Sequence, residues 1–128
     1  MRVLFDTHLL VWFAVGDERT SKSARALLDD PQIDPVFSIV SIWEATIKFG
    51  LQRVDFPLYP QLLYSGLLSS GFSELDLTTG HSFALLGLPL IHRDPFDRIL
   101  IAQSQVEGIT FATADKTVAS YGGLVRLV

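Results

Sequence analysis

His92-Arg93-Asp94-Pro95-Phe96-Asp97-Arg98-Ile99-Leu100-Ile101-Ala102-Gln103 is the stretch on which the fold turns. Asp followed by Pro starts a helix. Asp94 can accept a backbone N–H as N-cap, and Pro95 at the first helical position gives up a donor that has no partner there. Asp97 then falls in the first turn, where the partial positive charge of the helix end favours an acid. Behind it, Ile99, Leu100, Ile101, Ala102 and Val106 leave no polar stripe, which is the pattern of a buried helix. The stretch therefore predicts a central core helix with two carboxylates at its amino end. Capping accounts for Asp94. Asp97 is not needed as a cap once Asp94 is one, so its role turns on whether other acids reach it.

Outward from this helix, short apolar strands alternate with helices. Arg2–Phe5 reads as a strand ending at Asp6, with a turn at Thr7-His8 and a short helix Leu9–Ala14 closed by Gly16. Thr20 and Ser21 can cap a helix Lys22–Asp30, followed by a loop to Pro35 and a strand Val36–Ser38. A helix Ile39–Phe49 carries two stripes: Ile39, Trp43 and Ile47 on one face, Ser41, Glu44 and Lys48 on another. Leu51–Leu58 reads as the mobile loop of the chain. Gln61–Leu68 is predicted helical, Ser73–Leu77 a weak strand, and His81–Leu86 a helix capped by Thr78 or Thr79. After the central helix, the strand Ile109–Thr113 leads directly to Asp115. A short helix Lys116–Tyr121 and a last strand Leu124–Val128 complete the order. Such alternation predicts an α/β fold, a central mostly parallel sheet covered by helices on both faces. Sites in such sheets form beyond the carboxyl ends of the strands, and Asp6 and Asp115 both follow strand ends.

Composition narrows the function classes. The chain has 128 residues, no cysteine and a formal net charge of −4. That is the size of one domain, residues 1–128, with a real core. The lack of cysteine excludes a disulfide framework and a thiolate metal site, and fits a reducing compartment. No apolar run reaches membrane-spanning length and the start is interrupted too early for a signal peptide, so no membrane association and a cytoplasmic location are expected. A duplex-binding protein usually carries a basic face, so nucleic-acid contact here is expected to be local and to need a cation. A mean hydropathy of +0.35 is high for so small a domain and predicts a surface covered by a partner or a second copy.

Four acids then have a reason to meet: Asp6 and Asp115 after strand ends, Glu44 from a helix face, and Asp97 from a helix start. Clustered carboxylates raise one another's pKa unless a cation joins them. An all-oxygen set suits a hard ion, Mg²⁺ or Mn²⁺, which can hold a phosphate oxygen and generate hydroxide from bound water. Thr7 and Thr113 stand next to two of the acids and could hydrogen-bond metal-bound water. Each acid alone has a plainer reading: Glu44 with Lys48 as a solvated i,i+4 pair, Asp115 as a helix N-cap. A response-regulator receiver needs an adjacent acidic pair after its first strand and an Asp after its third. Here Asp6 is followed by Thr7-His8 and the second strand ends in Ser38, so that class is excluded. A haloacid-dehalogenase-type phosphatase fails similarly, since His8 replaces its second Asp.

The stretches Leu4-Phe5-Asp6-Thr7-His8, Ser41-Ile42-Trp43-Glu44-Ala45 with Lys48, His92–Gln103, and Thr113-Ala114-Asp115 with Tyr121-Gly122 span the chain in order. In them the chain resembles the PIN domains, and most closely the VapC toxins of bacterial type II toxin–antitoxin pairs. The resemblance implies a three-layer PIN fold, Mg²⁺ or Mn²⁺, and endonucleolytic cleavage of RNA. It also implies an antitoxin that blocks the site and commonly a homodimer. Carried over by position, the acidic centre is Asp6, Glu44, Asp97 and Asp115, as catalytic and metal-binding residues. Asp94 lies outside the general pattern and is a cap first, a supporting residue second. Ala114 stands where a larger polar residue is often seen. The competing reading is a non-catalytic PIN module acting as an interaction scaffold; such modules typically lose acids that this chain retains.

The remaining polar and aromatic residues are weighed one by one. His8 and His92 flank the expected site, either to contact phosphate or to bond backbone. Arg93, Arg98, Lys48 and Lys116 could guide RNA phosphates, although a solvated face is the ordinary use of each. Trp12, Phe13 and Trp43 lie in apolar runs, which predicts core or dimer packing ahead of base stacking.

Overall fold

A computed structural model describes residues 1–128. Five strands, β1 (Arg2–Phe5), β2 (Asp34–Ser38), β3 (Ser73–Leu75), β4 (Thr110–Thr113) and β5 (Val125–Leu127), form one sheet in the order β3-β2-β1-β4-β5. Every pairing in it is parallel, where the sequence pattern predicts a mostly parallel sheet. All carboxyl ends therefore lie on one edge, and the order reverses at central β1, which places a crevice there.

Parallel strands need crossover helices, and these cover both faces. Between β1 and β2 run α1 (Thr7–Val15) and α2 (Lys22–Asp29); between β2 and β3 run α3 (Ile39–Gly50) and α4 (Pro60–Ser69). Between β3 and β4 run α5 (Thr79–Ala84), a 3-10 turn Leu85–Gly87, and α6 (Pro95–Glu107); α7 (Lys116–Ala119) links β4 to β5. The strand period of two splits the core accordingly. Val3, Phe5, Phe37 and Ala112 pack under α1, α2 and α4 with Leu10, Leu27, Leu63 and Leu67. Leu4, Val36 and Phe111 pack on the other face with Leu100, Ile101 and Val118. The result is three layers, helix on sheet on helix.

Central α6 is the buried helix its sequence predicts. Asp94 is its N-cap, its side chain accepting from Phe96 N–H at 2.9 Å, and Gly108 ends it in the left-handed region at φ 67°. Ile99 to Ser104 are all buried, although Val106 near its end is exposed. The predicted turn at Thr7-His8 is instead the first turn of α1, because Asp6 caps that helix directly.

The orientation of α3 departs from the amphipathic expectation. Its apolar stripe faces outward: Ile39, Trp43 and Ile47 are exposed, Trp43 by 57%. Ser41 and Glu44 on the polar stripe are buried. Core packing for Trp43 is thus corrected; its exposed ring packs edge-to-face with Phe96, centroids 5.2 Å apart. Phe13 also reaches the surface.

Candidate active site

The site is built by a local device used three times. A residue at the end of a strand turns the chain and caps the next helix with one side-chain oxygen. Asp6 Oδ1 accepts from His8 N–H at 2.9 Å, Ser38 Oγ from Val40 N–H at 3.0 Å, and Asp115 Oδ1 from Thr117 and Val118 N–H at 2.8 and 3.2 Å. In both aspartates the second oxygen is left for the crevice. Asp6 Oδ2 accepts from the Thr113 hydroxyl at 2.5 Å, and that hydroxyl in turn accepts from Asp115 N–H at 3.0 Å. Thr113 thus ties the β1 acid to the β4 acid.

Glu44 enters from the inward stripe of α3. Its carboxylate is buried, Oε2 paired with Lys48 Nζ at 2.6 Å, and Oε1 has no hydrogen-bond partner. The expectation of a solvated i,i+4 pair is therefore corrected: the pair lies inside, with Lys48 Nζ 5.1 Å from the Phe56 ring centre and 5.7 Å from that of Phe96. Asp97 enters from the first turn of α6. Burial, and then the charges of Asp6, Asp94, Glu44 and Asp115, push its carboxyl up to about 8. Burial also raises Asp6, against the lowering effect of its bonds from Thr113 and His8. The four expected acids do come together, and so does Asp94, although its side chain is spent on the cap.

His92 reaches the same point. Its Nε2 lies 3.3 Å from Asp97 Oδ2 and 3.7 Å from Asp115 Oδ2. Its Nδ1 accepts from Asp94 N–H at 2.9 Å. The hydroxyl of Tyr121 anchors the same segment, accepting from His92 N–H at 2.8 Å and Ile91 N–H at 3.2 Å. Sequence reasoning assigned Tyr121 no role, because its partners lie 29 and 30 residues away.

Other candidates are placed elsewhere. Thr7 is buried beside Asp6, but its hydroxyl donates to Ser41 Oγ at 2.8 Å, joining α1 to α3. Arg98 acts as a brace within the fold: its guanidinium donates to Pro89 O, Leu88 O and the Tyr121 hydroxyl at 2.9, 3.3 and 3.1 Å. His8 Nε2 faces Asp55 Oδ2 at 3.3 Å, and Arg53 grips the same carboxylate at 3.1 and 3.0 Å. Burial works to raise Asp55, but the bonds from Arg53 and His8 prevail and lower it. In Leu51–Leu58, which the sequence suggested as a mobile loop, buried Phe56 and the gripped Asp55 form a wall of the site, while Leu51 and Val54 are exposed. Between that wall and the acids opens a cavity of about 320 Å³ lined by Asp6, His8, Trp12, Arg19, Asp55, Ala114 and Asp115.

Four carboxylates, one with an orphaned oxygen and one held at about 8, are short of positive charge, and His92 adds a nitrogen within 4.8 Å of the Asp97 and Asp115 oxygens. This donor set fits a hard divalent cation.

No curated protein matches the sequence. Solved structures share the fold. VapBC2 from Rickettsia felis, crystallised with a DNA fragment of its promoter, superposes with a TM-score of 0.73 at 12% identity, over 99% of this chain and 98% of that one. A toxin–antitoxin complex from Klebsiella pneumoniae gives 0.65 at 18% identity, covering 97% and 95%. VapC20 of Mycobacterium tuberculosis, a toxin that cleaves the sarcin–ricin loop, gives 0.66 at 17% identity, covering 94% and 95%. The family model of the PIN domain matches residues 3–124, a span that holds all four acids. By that match, this chain belongs to the PIN domain family.

Proposed function

We propose that residues 1–128 act as one domain, a Mg²⁺- or Mn²⁺-dependent endoribonuclease that is the toxin of a type II toxin–antitoxin pair. One observation carries the reading: a carboxylate cluster, buried at Asp6 and Glu44, whose Glu44 Oε1 has no partner and whose Asp97 is raised to about 8. A fold needs no such arrangement, whereas a cation-dependent phosphodiesterase does. The likeness in fold to toxins of toxin–antitoxin pairs supports the biological setting.

Asp6, Asp97 and Asp115 would hold the ion, with Glu44 completing the set from α3. When bound, the ion would supply a hydroxide near neutral pH and charge stabilisation for the scissile phosphate. The protein's own groups do the rest. Thr113 fixes Asp6 relative to Asp115, and Lys48 fixes Glu44. Arg93 and Lys116 are exposed beside the crevice and would hold flanking phosphates, consistent with local contact in a chain of net charge −4. The outward stripe Ile39, Trp43 and Ile47 is apolar surface suited to a second copy or an antitoxin. The test is cleavage of a single-stranded RNA with Mg²⁺ or Mn²⁺ and its loss in EDTA; robust cleavage in EDTA sinks the mechanism.

A further inference from the structure

The cavity beside the acids has a basic wall. Arg19 lines it together with Asp6, Asp115, Trp12 and Asp55. Its guanidinium is fixed on two sides, although the side chain is 61% exposed. Nε and Nη2 donate to Asp17 Oδ1 and Oδ2 at 3.1 and 2.7 Å, a two-pronged grip. The guanidinium carbon stands 5.0 Å from the centre of the Trp12 ring. The backbone sets Asp17 in turn: its N–H donates to Trp12 O at 2.8 Å, and its Oδ1 also accepts from Arg19 N–H at 2.8 Å. Trp12 packs against the core under α1. A guanidinium has five N–H groups. Asp17 takes two, and the other three, both on Nη1 and one on Nη2, have no partner in the protein. Nη1 and Nη2 therefore present a free edge with two parallel donors, the fork that matches two oxygens of a phosphate. Asp55 is near enough to act on Arg19, but Arg53 already grips both its oxygens. An ion pair at the surface adds little to stability, so the fold gains little from holding Arg19 this way.

We propose that Arg19 is a substrate-binding residue, its free Nη1–Nη2 edge gripping the RNA phosphate next to the one that is cut. The inference rests on the ribonuclease reading given above. With the scissile phosphate held at Asp6 and Asp115, its neighbour along the strand is the group that can enter the rest of the same cavity. A carboxylate from a protein partner would fit the same edge, but nothing draws it to a cavity walled by acids, whereas a strand is drawn there by the ion. The fixed pose strengthens the grip. An arginine that moves freely loses side-chain entropy on binding, and Asp17 and Trp12 have removed that freedom beforehand. In a chain of net charge −4, Arg19 supplies a hold on the strand that the ion does not.

The experiment is steady-state cleavage of a short single-stranded RNA of mixed sequence in Mg²⁺ by wild type, Arg19→Gln and Arg19→Lys. It is repeated over a series of salt concentrations, with thermal melts of each protein. Arg19→Gln should raise KM about tenfold, the scale of a charge-assisted hydrogen bond, and leave kcat unaltered, the mark of binding shared by ground and transition states. The slope of log(kcat/KM) against log salt should become shallower by about 0.7, one phosphate contact on a single strand. Arg19→Lys keeps the charge but not the fork, so it should keep the wild-type slope and raise KM by less. Melting should be unchanged in both variants. Unaltered KM and slope in Arg19→Gln overturn the proposal and leave the edge to a protein carboxylate. A fall in kcat with KM unaltered overturns it too, because Arg19 then acts in the chemistry and not on a neighbouring phosphate. Should Arg19→Gln melt early, Arg19→Lys decides, and a KM equal to wild type overturns the proposal. If wild type cuts no RNA in Mg²⁺ or Mn²⁺, the ribonuclease reading fails and takes the proposal with it. Cutting by wild type with unaltered variants fails the Arg19 proposal alone.

Discussion

Helices α3 and α6 each deliver one acid to the crevice, and they do so by opposite rules. In α6 the apolar residues face in and the acid sits at the exposed end of the helix axis, supported by the helix dipole. In α3 the acid sits mid-helix on the buried face, supported by Lys48, while isoleucines and a tryptophan face out. Hydrophobic periodicity reads the first correctly and the second backwards. The difference is what lies opposite. The inner face of α6 meets the apolar sheet; that of α3 meets Thr7 at the site edge through Ser41. A buried polar stripe is stable only if its groups find partners, and here all but one do.

The sharpest contrast should come from Asp97→Asn in α6. Asn keeps the shape and the first-turn position, so the fold survives, while RNA cleavage falls by orders of magnitude and metal affinity drops. Melting without metal should hold or rise, since Asn is neutral at every pH and needs no proton taken up on folding to sit among the other acids. Early melting with near wild-type cutting would make Asp97 structural. Asp94→Asn should cost far less activity, because Asn caps a helix about as well as Asp.

Next in size is stability at Lys48. Lys48→Met leaves Glu44 charged and buried without its partner and should cost about 3–5 kcal/mol in denaturant melts. Glu44→Gln should cost less, because the released ammonium can turn to solvent along its stem. The double substitution should recover part of the Lys48→Met loss, and a purely additive cycle would mean the pair is not coupled. On α6, Leu100→Ala should cost about 2–5 kcal/mol by cavity formation alone.

The third test is pH. An unfolded Asp titrates near 3.9, whereas folded Asp97 is held at about 8. Between those values the folded protein keeps a proton that the unfolded chain has lost, so stability falls as pH rises. Metal-free melting temperature should therefore decline from about pH 5 to pH 8.5, with most of the Asp97 contribution gone above its folded value. Mg²⁺ should flatten the decline by favouring the ionised cluster, and Asp97→Asn should lessen it. A flat metal-free profile would mean that Asp97 is already ionised.

The smallest effect is expected on the outer face of α3. Trp43→Gln should change stability by about 1 kcal/mol or less. A larger loss would place that face in a packed interface.

What could be read from the chain follows from the range of the forces involved. Asp94-Pro95 and Gly108 mark α6 because caps act within a few residues, and the strands announce themselves by apolar runs. The four acids could be mapped to one edge because parallel strands all end there. The inversion of α3, the use of Arg98 as a brace, and the pose of His92 could not. Each depends on partners brought from elsewhere in the chain: Ser41 with Thr7, Arg98 and His92 with Tyr121. Their residue types are compatible with a solvated surface, and only the tertiary contacts exclude it. The short α5 and α7 stop at Ala84 and Ala119, before the predicted Leu86 and Tyr121, and α5 runs on as the 3-10 turn Leu85–Gly87.

The placement of the two tryptophans has an optical consequence. Trp12 lines the cavity shared by Asp6 and Asp115, and Trp43 touches Phe96, the residue before Asp97. No other indole is present in the chain. Intrinsic fluorescence is therefore a local gauge of the crevice, with one emitter lining it and the other reaching it through Phe96, next to Asp97. Trp12→Phe and Trp43→Phe would separate the two emitters, so that loading of the acids could be followed without a label, without RNA and without turnover.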